Sequence, residues 1–341
     1  MSAAHEYHRP LVQVGPIRAR GAAQLAGGWG WFTHLEVLAR GRMPRVIRLV
    51  DAPDAVINTL TSPRAEIAGL ALNQPRVMGI LNATPDSFSD GGKHAEADAA
   101  IAAGLAMRKA GADILDIGGE STRPGAETVP TEEEIGRTVP ILRGLKDARV
   151  GALLSIDTRK AEVAEAALDA GAGLINDVSG FTFDPALAPL AARAETPVCV
   201  MHSVGDPATM QDNPTYDDVL LEVYDFLETQ IALLESRGIP RRRIVADPGI
   251  GFGKTLEHNL TLLSRLSLFH MLGVPILLGA SRKRFIGTIG GVPEAKDRAA
   301  GSVGVALAAL SHGVQIVRVH DVPETVQAIA LWRAAMTGRH L

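Results

Sequence analysis

From Val77 onward the chain repeats one unit: a short apolar run, a loop, then a stretch with helical periodicity. The runs begin near Val77, Ile114, Leu153, Leu174, Pro197, Ile244, Pro275 and Gln315. Runs such as Ile114-Leu115-Asp116-Ile117 and Pro275-Ile276-Leu277-Leu278 lack a polar outer face. Strands of that kind belong to a parallel sheet that helices cover. Helix-end signals agree. Gly111, Gly171, Gly238, Gly273 and Gly313 stand where helices should close. The phrase Ala110-Gly111-Ala112-Asp113-Ile114-Leu115 returns as Ala170-Gly171-Ala172-Gly173-Leu174-Ile175, which predicts one helix-to-strand joint used twice. Thr131 and Glu134 have the spacing of a capping box before the second helix. Asp184-Pro185 reads as a cap with a first-turn proline before the fourth.

Eight βα units in about 265 residues predict an α/β fold, a (β/α)8 TIM barrel over 75–341. A doubly wound open sheet is the alternative, but it would gather its ligand residues at one switch point. Here polar residues follow nearly every strand, which favours the closed barrel. Residues 1–74 break the rhythm. They hold Trp29, Trp31 and strand-like runs at 32–38 and 45–50 around Gly41-Arg42-Met43-Pro44. This extension should form a small antiparallel hairpin that covers the barrel's N-terminal end or an outer helix, with the tryptophans as packing anchors. It is too short for a second enzyme domain of ~100–200 residues.

A formal net charge of -4 gives no footing for nucleic acid or a membrane surface, so any anion site must be local. The sole cysteine, Cys199, lies in an apolar run and reads as a buried structural thiol. No Cys/His cluster has zinc spacing. With neither a signal pattern nor an apolar run of spanning length, a cytoplasmic protein is expected.

In a barrel of this kind the C-terminal ends of the strands face the active site. Those ends carry Asn82, Asp116, Asp157-Thr158, Asn176-Asp177, Met201-His202, Asp247, Ser281-Arg282-Lys283 and Arg318-Val319-His320-Asp321. Strands three, four and six thus present Asp157, Asn176 and Asp247. Strands seven and eight present Lys283, Arg318 and His320, where this fold usually binds phosphate. Arg318 and His320, two apart on a strand, should converge on one oxyanion. Buried carboxylates opposite suit a ligand rich in N–H donors. A flat amino-heterocycle at one end and a phosphate at the other would satisfy both walls.

These segments closely resemble dihydropteroate synthase. The resemblance runs from about Arg76 to the C-terminus. It rests on Gly79-Ile80-Leu81-Asn82-Ala83-Thr84-Pro85-Asp86-Ser87-Phe88-Ser89-Asp90-Gly91-Gly92, Gly118-Gly119-Glu120-Ser121-Thr122-Arg123-Pro124-Gly125, Ser155-Ile156-Asp157-Thr158, Ile175-Asn176-Asp177-Val178-Ser179-Gly180, Asp247-Pro248-Gly249-Ile250-Gly251-Phe252-Gly253-Lys254, Gly279-Ala280-Ser281-Arg282-Lys283 and Arg318-Val319-His320-Asp321-Val322. Glycine-rich loops are common singly; in this order, each after the right strand, they are specific. The resemblance implies that a pterin diphosphate condenses with p-aminobenzoate. Thr122, Asp157, Asn176, Asp247 and Lys283 would bind the pterin diphosphate, chiefly its ring. Arg318, Val319 and His320 would lie at the diphosphate, and Asn82 would bind Mg²⁺ with it. Phe88, Pro124, Phe252 and Ser281 would shape the p-aminobenzoate pocket. The catalytic work would fall to Asp157, Lys283, Arg318 and His320, in a homodimer. Ala83 departs from the family, where valine is common.

Plainer readings stand beside these. Asp116 suits a structural hydrogen bond as well as a ligand contact, and His202 leans toward structure. Arg282 reads as a partner for a helix or solvent, and Glu132-Glu133-Glu134 as a solvated first turn. A methyltetrahydrofolate–corrinoid methyltransferase would share the carboxylate wall but would not need Lys283, Arg318 and His320 together. A non-catalytic pterin-binding paralogue is the remaining rival.

Overall fold

The computed structural model describes residues 5–83, 92–121, 128–205 and 210–339. The chain opens with five short strands: β1 (Tyr7–Pro10), β2 (Ala23–Gln24), β3 (Trp31–Phe32), β4 (His34–Leu38) and β5 (Arg45–Arg48). β4 and β5 pair antiparallel across the Gly41 turn, in the expected region. β1 adds to the free side of β4, and β2 pairs with β3. A helix that periodicity did not suggest, α1 (Asp54–Thr61), follows. Leu25, Phe32, Leu35, Leu49, Val56 and Leu60 form a small core of their own between these pieces.

The remaining strands make one parallel, eight-stranded sheet: β6 (Arg76–Asn82), β7 (Ile114–Gly118), β8 (Leu153–Asp157), β9 (Leu174–Asp177), β10 (Val198–Met201), β11 (Ile244–Asp247), β12 (Leu277–Leu278) and β13 (Ile316–Val319). Hydrogen bonding runs β11-β10-β9-β8-β7-β6-β13-β12, and a parallel bridge between Ala246 and Ile276 joins the two ends. The sheet is therefore a closed barrel. Outside it lie α2 (Gly92–Lys109), α3 (Thr131–Asp147), α4 (Ala161–Ala170), α5 (Leu187–Arg193), α6 (Val219–Ser236), α7 (Leu256–Ser264), α8 (Arg284–Gly290), α9 (Ala299–Ser311) and α10 (Val322–Thr337).

The repeated joint is real. Gly111 and Gly171 both adopt left-handed backbone, with φ of 110° and 115°. In each case the next amide, Ala112 or Ala172, closes back on the carbonyl five residues earlier, Met107 or Ala167. Only glycine takes that conformation without strain, so the same sequence makes the same turn. The Thr131/Glu134 capping box does not form. Pro130 occupies the cap of α3 without a side-chain bond, and Glu134 is 1% exposed. Glu134 instead accepts from Thr158 and Lys160, so that end of the Glu132–134 run is buried rather than solvated.

Inside the barrel, side chains alternate with the strand period of two. Met78, Ile114, Leu174, Cys199, Val245, Leu277 and Ile316 make an apolar floor. Ile67 and Leu72, from the segment before β6, pack into that same floor and close the barrel's N-terminal end. The N-terminal sheet leans on the outside. Tyr7 packs edge-on against Tyr224 of α6 and donates to Asp225, and Trp29 donates to the carbonyl of Leu310 in α9. The segment thus covers both an end and an outer flank.

Candidate active site

One step above the floor, the inward positions turn polar. Asp116 of β7 is fully buried, with one carboxylate oxygen accepting from Ser155 at 2.6 Å. The other accepts from Asn176 at 3.0 Å and from Arg318 at 2.6 Å. Arg318 reaches on to Asp157 at 2.6 Å. Four strands therefore place Asp116, Asp157, Asn176 and Arg318 in one network across the barrel. One guanidinium cannot neutralise two carboxylates. Burial pushes the Asp157 carboxyl up to about 7, Arg318 opposing it and Asp116 adding to it. Asp116, left open by the sequence, is the centre of this network.

Asp247 ends β11 and is pushed up to about 6 by burial, against the Gly249 amide it accepts from at 2.7 Å and against Lys283, Arg318 and Lys254. Lys283, at the start of α8, sets its ammonium 3.9 Å above the centre of the Phe252 ring. His320 meets Ser281 twice, through its backbone amide at 3.2 Å and its ring Nδ1 at 3.1 Å. Val319 is different. Its side chain packs in the apolar layer between strands and helices, so it offers the mouth backbone only. Arg282 turns away to pair with Asp321, as a structural partner should. Thr122, Phe88 and Pro124 lie outside the described residues.

Two lysines that sequence reasoning passed over organise the rim. Lys160 donates to Glu120 at 2.7 Å, to Glu134 at 2.6 Å and to the Val129 carbonyl at 2.6 Å. Glu120 also pairs with Arg159 and accepts from the Val129 amide. This buried cluster ties the end of β7 to the start of α3. Its signal was hidden, because three glutamates at a helix start usually face water. Lys254 donates to the carbonyls of Gly249 and Phe252 at 2.8 and 2.9 Å and meets His202 Nδ1 at 2.9 Å. Burial holds Lys254 down at about 7 and His202 at about 2, so His202 is a neutral structural residue.

Asn82 ends β6 beside Gly118, half-buried at the mouth with a hard amide oxygen. Among the described residues no group of three His, Cys, Asp or Glu could form a metal cage. Magnesium needs no such cage, since it commonly keeps waters and takes its other oxygens from a bound phosphate. A single oxygen donor at this mouth fits that pattern. At the barrel's opposite end a cavity of about 680 Å³ is lined by Arg76, Arg108, Lys146 and Arg149. Two of its cations are engaged within the fold: Arg108 donates to the Ala112 carbonyl, and Arg76 to the Ala71 carbonyl and to the Asp113 carboxylate. No helix among the described residues is long and apolar enough to cross a membrane.

Residues 78–320 match the family model described as "Pterin binding enzyme". The chain is 48% identical over 261 residues to a dihydropteroate synthase of Synechocystis, covering 75% of this chain and 90% of that protein. It is 44% identical over 275 residues to the Escherichia coli K12 enzyme of the same name, covering 81% and 96%. Among solved structures it is similar to the dihydropteroate synthase of Xanthomonas albilineans with 4-aminobenzoic acid, with TM-score 0.75 and 49% identity over 81% of this chain and 98% of that one. The same bacterium's enzyme in complex with 7,8-dihydropteroate matches with TM-score 0.72 and 46% identity over 80% and 98%. About a fifth of this chain has no counterpart in those structures.

Proposed function

We propose that this chain, which belongs to the dihydropteroate synthase family of pterin-binding enzymes, uses the polar mouth of its barrel to align a pterin diphosphate with p-aminobenzoate. It is a transferase of folate biosynthesis. The C–O bond of (7,8-dihydropterin-6-yl)methyl diphosphate breaks, a C–N bond to the aminobenzoate nitrogen forms, and that nitrogen loses a proton. The products are 7,8-dihydropteroate and diphosphate.

The observation that carries the residue roles is that Asp247, at the end of β11, feels the charge of Lys283, which follows β12 across the barrel seam and opens α8. The pterin 2-amino group and ring N–H are adjacent donors, which suit a carboxylate. Lys283 supplies donors for the carbonyl oxygen and ring nitrogen beside them. Asn176 and Asp157 complete the edge. Arg318 and His320 stabilise the charge that grows on diphosphate as the C–O bond stretches. Phe252 and Ser281 flank the aminobenzoate, with Thr122, Phe88 and Pro124 assigned by resemblance. Magnesium, held by Asn82 and the diphosphate oxygens, would neutralise the leaving group's charge when bound. Aniline nitrogen is already nucleophilic, so the site needs no strong base.

The same reading makes the enzyme a cytoplasmic homodimer joined through outer barrel helices, where Leu233, Leu260 and Leu331 are exposed. The test is product formation from pterin diphosphate, p-aminobenzoate and Mg²⁺. Dihydropteroate should appear and should fail to appear in excess chelator while the protein stays folded. Full turnover in chelator would sink the metal assignment, and binding without turnover would leave a non-catalytic paralogue.

A further inference from the structure

The loop from Gly249 to Lys254 is built more tightly than a connection needs. Gly249 has φ of 68°, and a Cβ there would lie 1.9 Å from the His202 carbonyl oxygen, so no other residue fits. The backbone of the loop is held from several sides. Gln211 donates to the Gly251 carbonyl at 2.7 Å, Tyr216 to the Gly253 carbonyl at 2.8 Å, and the Gly251 amide donates to Asn259 at 2.7 Å. At the centre sits the Lys254 ammonium, 3% exposed, enclosed by the Gly249 and Phe252 carbonyls and the His202 ring. Both ends of this arrangement touch the site. Gly249, whose carbonyl Lys254 holds, braces Asp247 through its amide. Phe252, whose carbonyl Lys254 also holds, carries its ring beneath Lys283.

We propose that Lys254 is a positioning residue for the pterin site: it locks the Gly249–Phe252 backbone so that Asp247 and Lys283 are held at a fixed separation. The inference rests on the assignment of Asp247 and Lys283 to the pterin ring. A buried lysine, not a water, suits the task, because an ammonium can donate to several acceptors at once from a stem fixed by the chain. A side chain that fixes a ligand residue through its neighbour acts by pre-organisation, which requires rigid support more than contact.

The experiment is a double-mutant cycle on the full chain, read by calorimetric titration of pterin diphosphate. Phe252→Leu removes the aromatic face under Lys283 and should weaken binding about three- to tenfold, the range of a single cation–π contact. Lys254→Met should weaken it by a similar or larger factor. The two losses should not multiply, because both act through one route: the double variant should bind within about twofold of the weaker single variant. Thermal unfolding is followed separately, since lost packing would lower stability without coupling the two affinities. Multiplying losses, or parent-like affinity in folded Lys254→Met, would overturn the proposal. If Lys254→Met does not fold, parent-like pterin affinity in Phe252→Leu overturns it alone. A parent protein that fails to bind pterin diphosphate would instead overturn the functional reading on which the proposal stands.

Discussion

Two residues along each strand separate the floor of the barrel from its mouth, and the two layers obey opposite rules. The floor is Met78, Ile114, Leu174, Cys199, Val245, Leu277 and Ile316, all apolar and all covered. The mouth is Asp116, Asn176, Asp247 and Arg318, two positions on along four of those strands, with Ser155 from β8. The cations divide the same way. At the lower cavity Arg108 caps a backbone carbonyl and Arg76 pairs with the partly exposed Asp113, whereas Arg318 spans two buried carboxylates. The lower layer gains stability from removing apolar surface from water. The upper layer spends it, keeping charges in a dry place where a ligand can complete their pairing. With the proposed site residues, stability and recognition fall on neighbouring rungs of the barrel strands.

The hardest test of this division is Arg318→Met. It leaves Asp116 and Asp157 without their shared cation, and breaking a buried pair costs about 3–5 kcal/mol. Turnover should fall by on the order of a hundred- to a thousandfold, as when one charge-stabilising donor is removed. Denaturant melts and product formation read the two losses, and a variant normal in both would erase the special status of the mouth. Ile114→Ala probes the floor. Stability should fall by about 2–5 kcal/mol through a cavity, with pterin affinity within about twofold of the parent. A floor variant that loses affinity as steeply as stability would show the layers to be coupled.

Asp247→Asn sharpens the comparison from above. It keeps the shape but turns half of a charged acceptor pair into a donor that faces a ligand N–H. Pterin affinity should weaken on the order of ten- to a hundredfold, the value of a charge-assisted bond of roughly 1.5–3 kcal/mol. Stability should hardly fall, since the carboxylate is costly where it stands; equal affinities would remove Asp247 from the site. The smallest effect is that of pH. Asp157 and Asp247 bind protons more tightly in the fold, at about 7 and about 6, than at the ordinary value of 3.8. The folded state therefore holds more protons between about pH 4 and 7, and its stability falls as pH rises through that window. A ligand that needs the ionised form behaves oppositely. A pterin without diphosphate that needs only Asp247 ionised should bind about tenfold tighter at pH 8 than at pH 5, with proton release. A flat profile would mean that Asp247 is ionised throughout.

Much of this was legible in the residues because periodicity and polarity are local. Eight apolar runs of strand length announce a barrel, and Asp157, Asn176, Asp247, Lys283 and Arg318 announce themselves by following those runs. What stayed hidden depends on partners far along the chain. Glu134 looks like any glutamate in a first helical turn until Thr158 and Lys160 are folded over it. Lys254 looks like the end of a glycine loop until His202 closes on it from β10. Val319 shares a motif with Arg318 and His320, yet strand alternation turns its side chain into the helix layer. The helix α1 carries too short an apolar pattern to stand out from a loop.

Ile67 and Leu72 belong by position to the extension and by packing to the floor. The extension is consequently not a detachable appendage. An edit that trims the chain back to its first barrel strand would leave an unfilled hollow beneath Cys199 and Ile114, and a neighbour's loop or a greasy additive would have reason to enter. Anyone shortening this protein for crystals or fusing it to a tag should cut upstream of Ile67, which keeps the barrel corked but uncovers the flank where Tyr7 and Trp29 lie against α6 and α9.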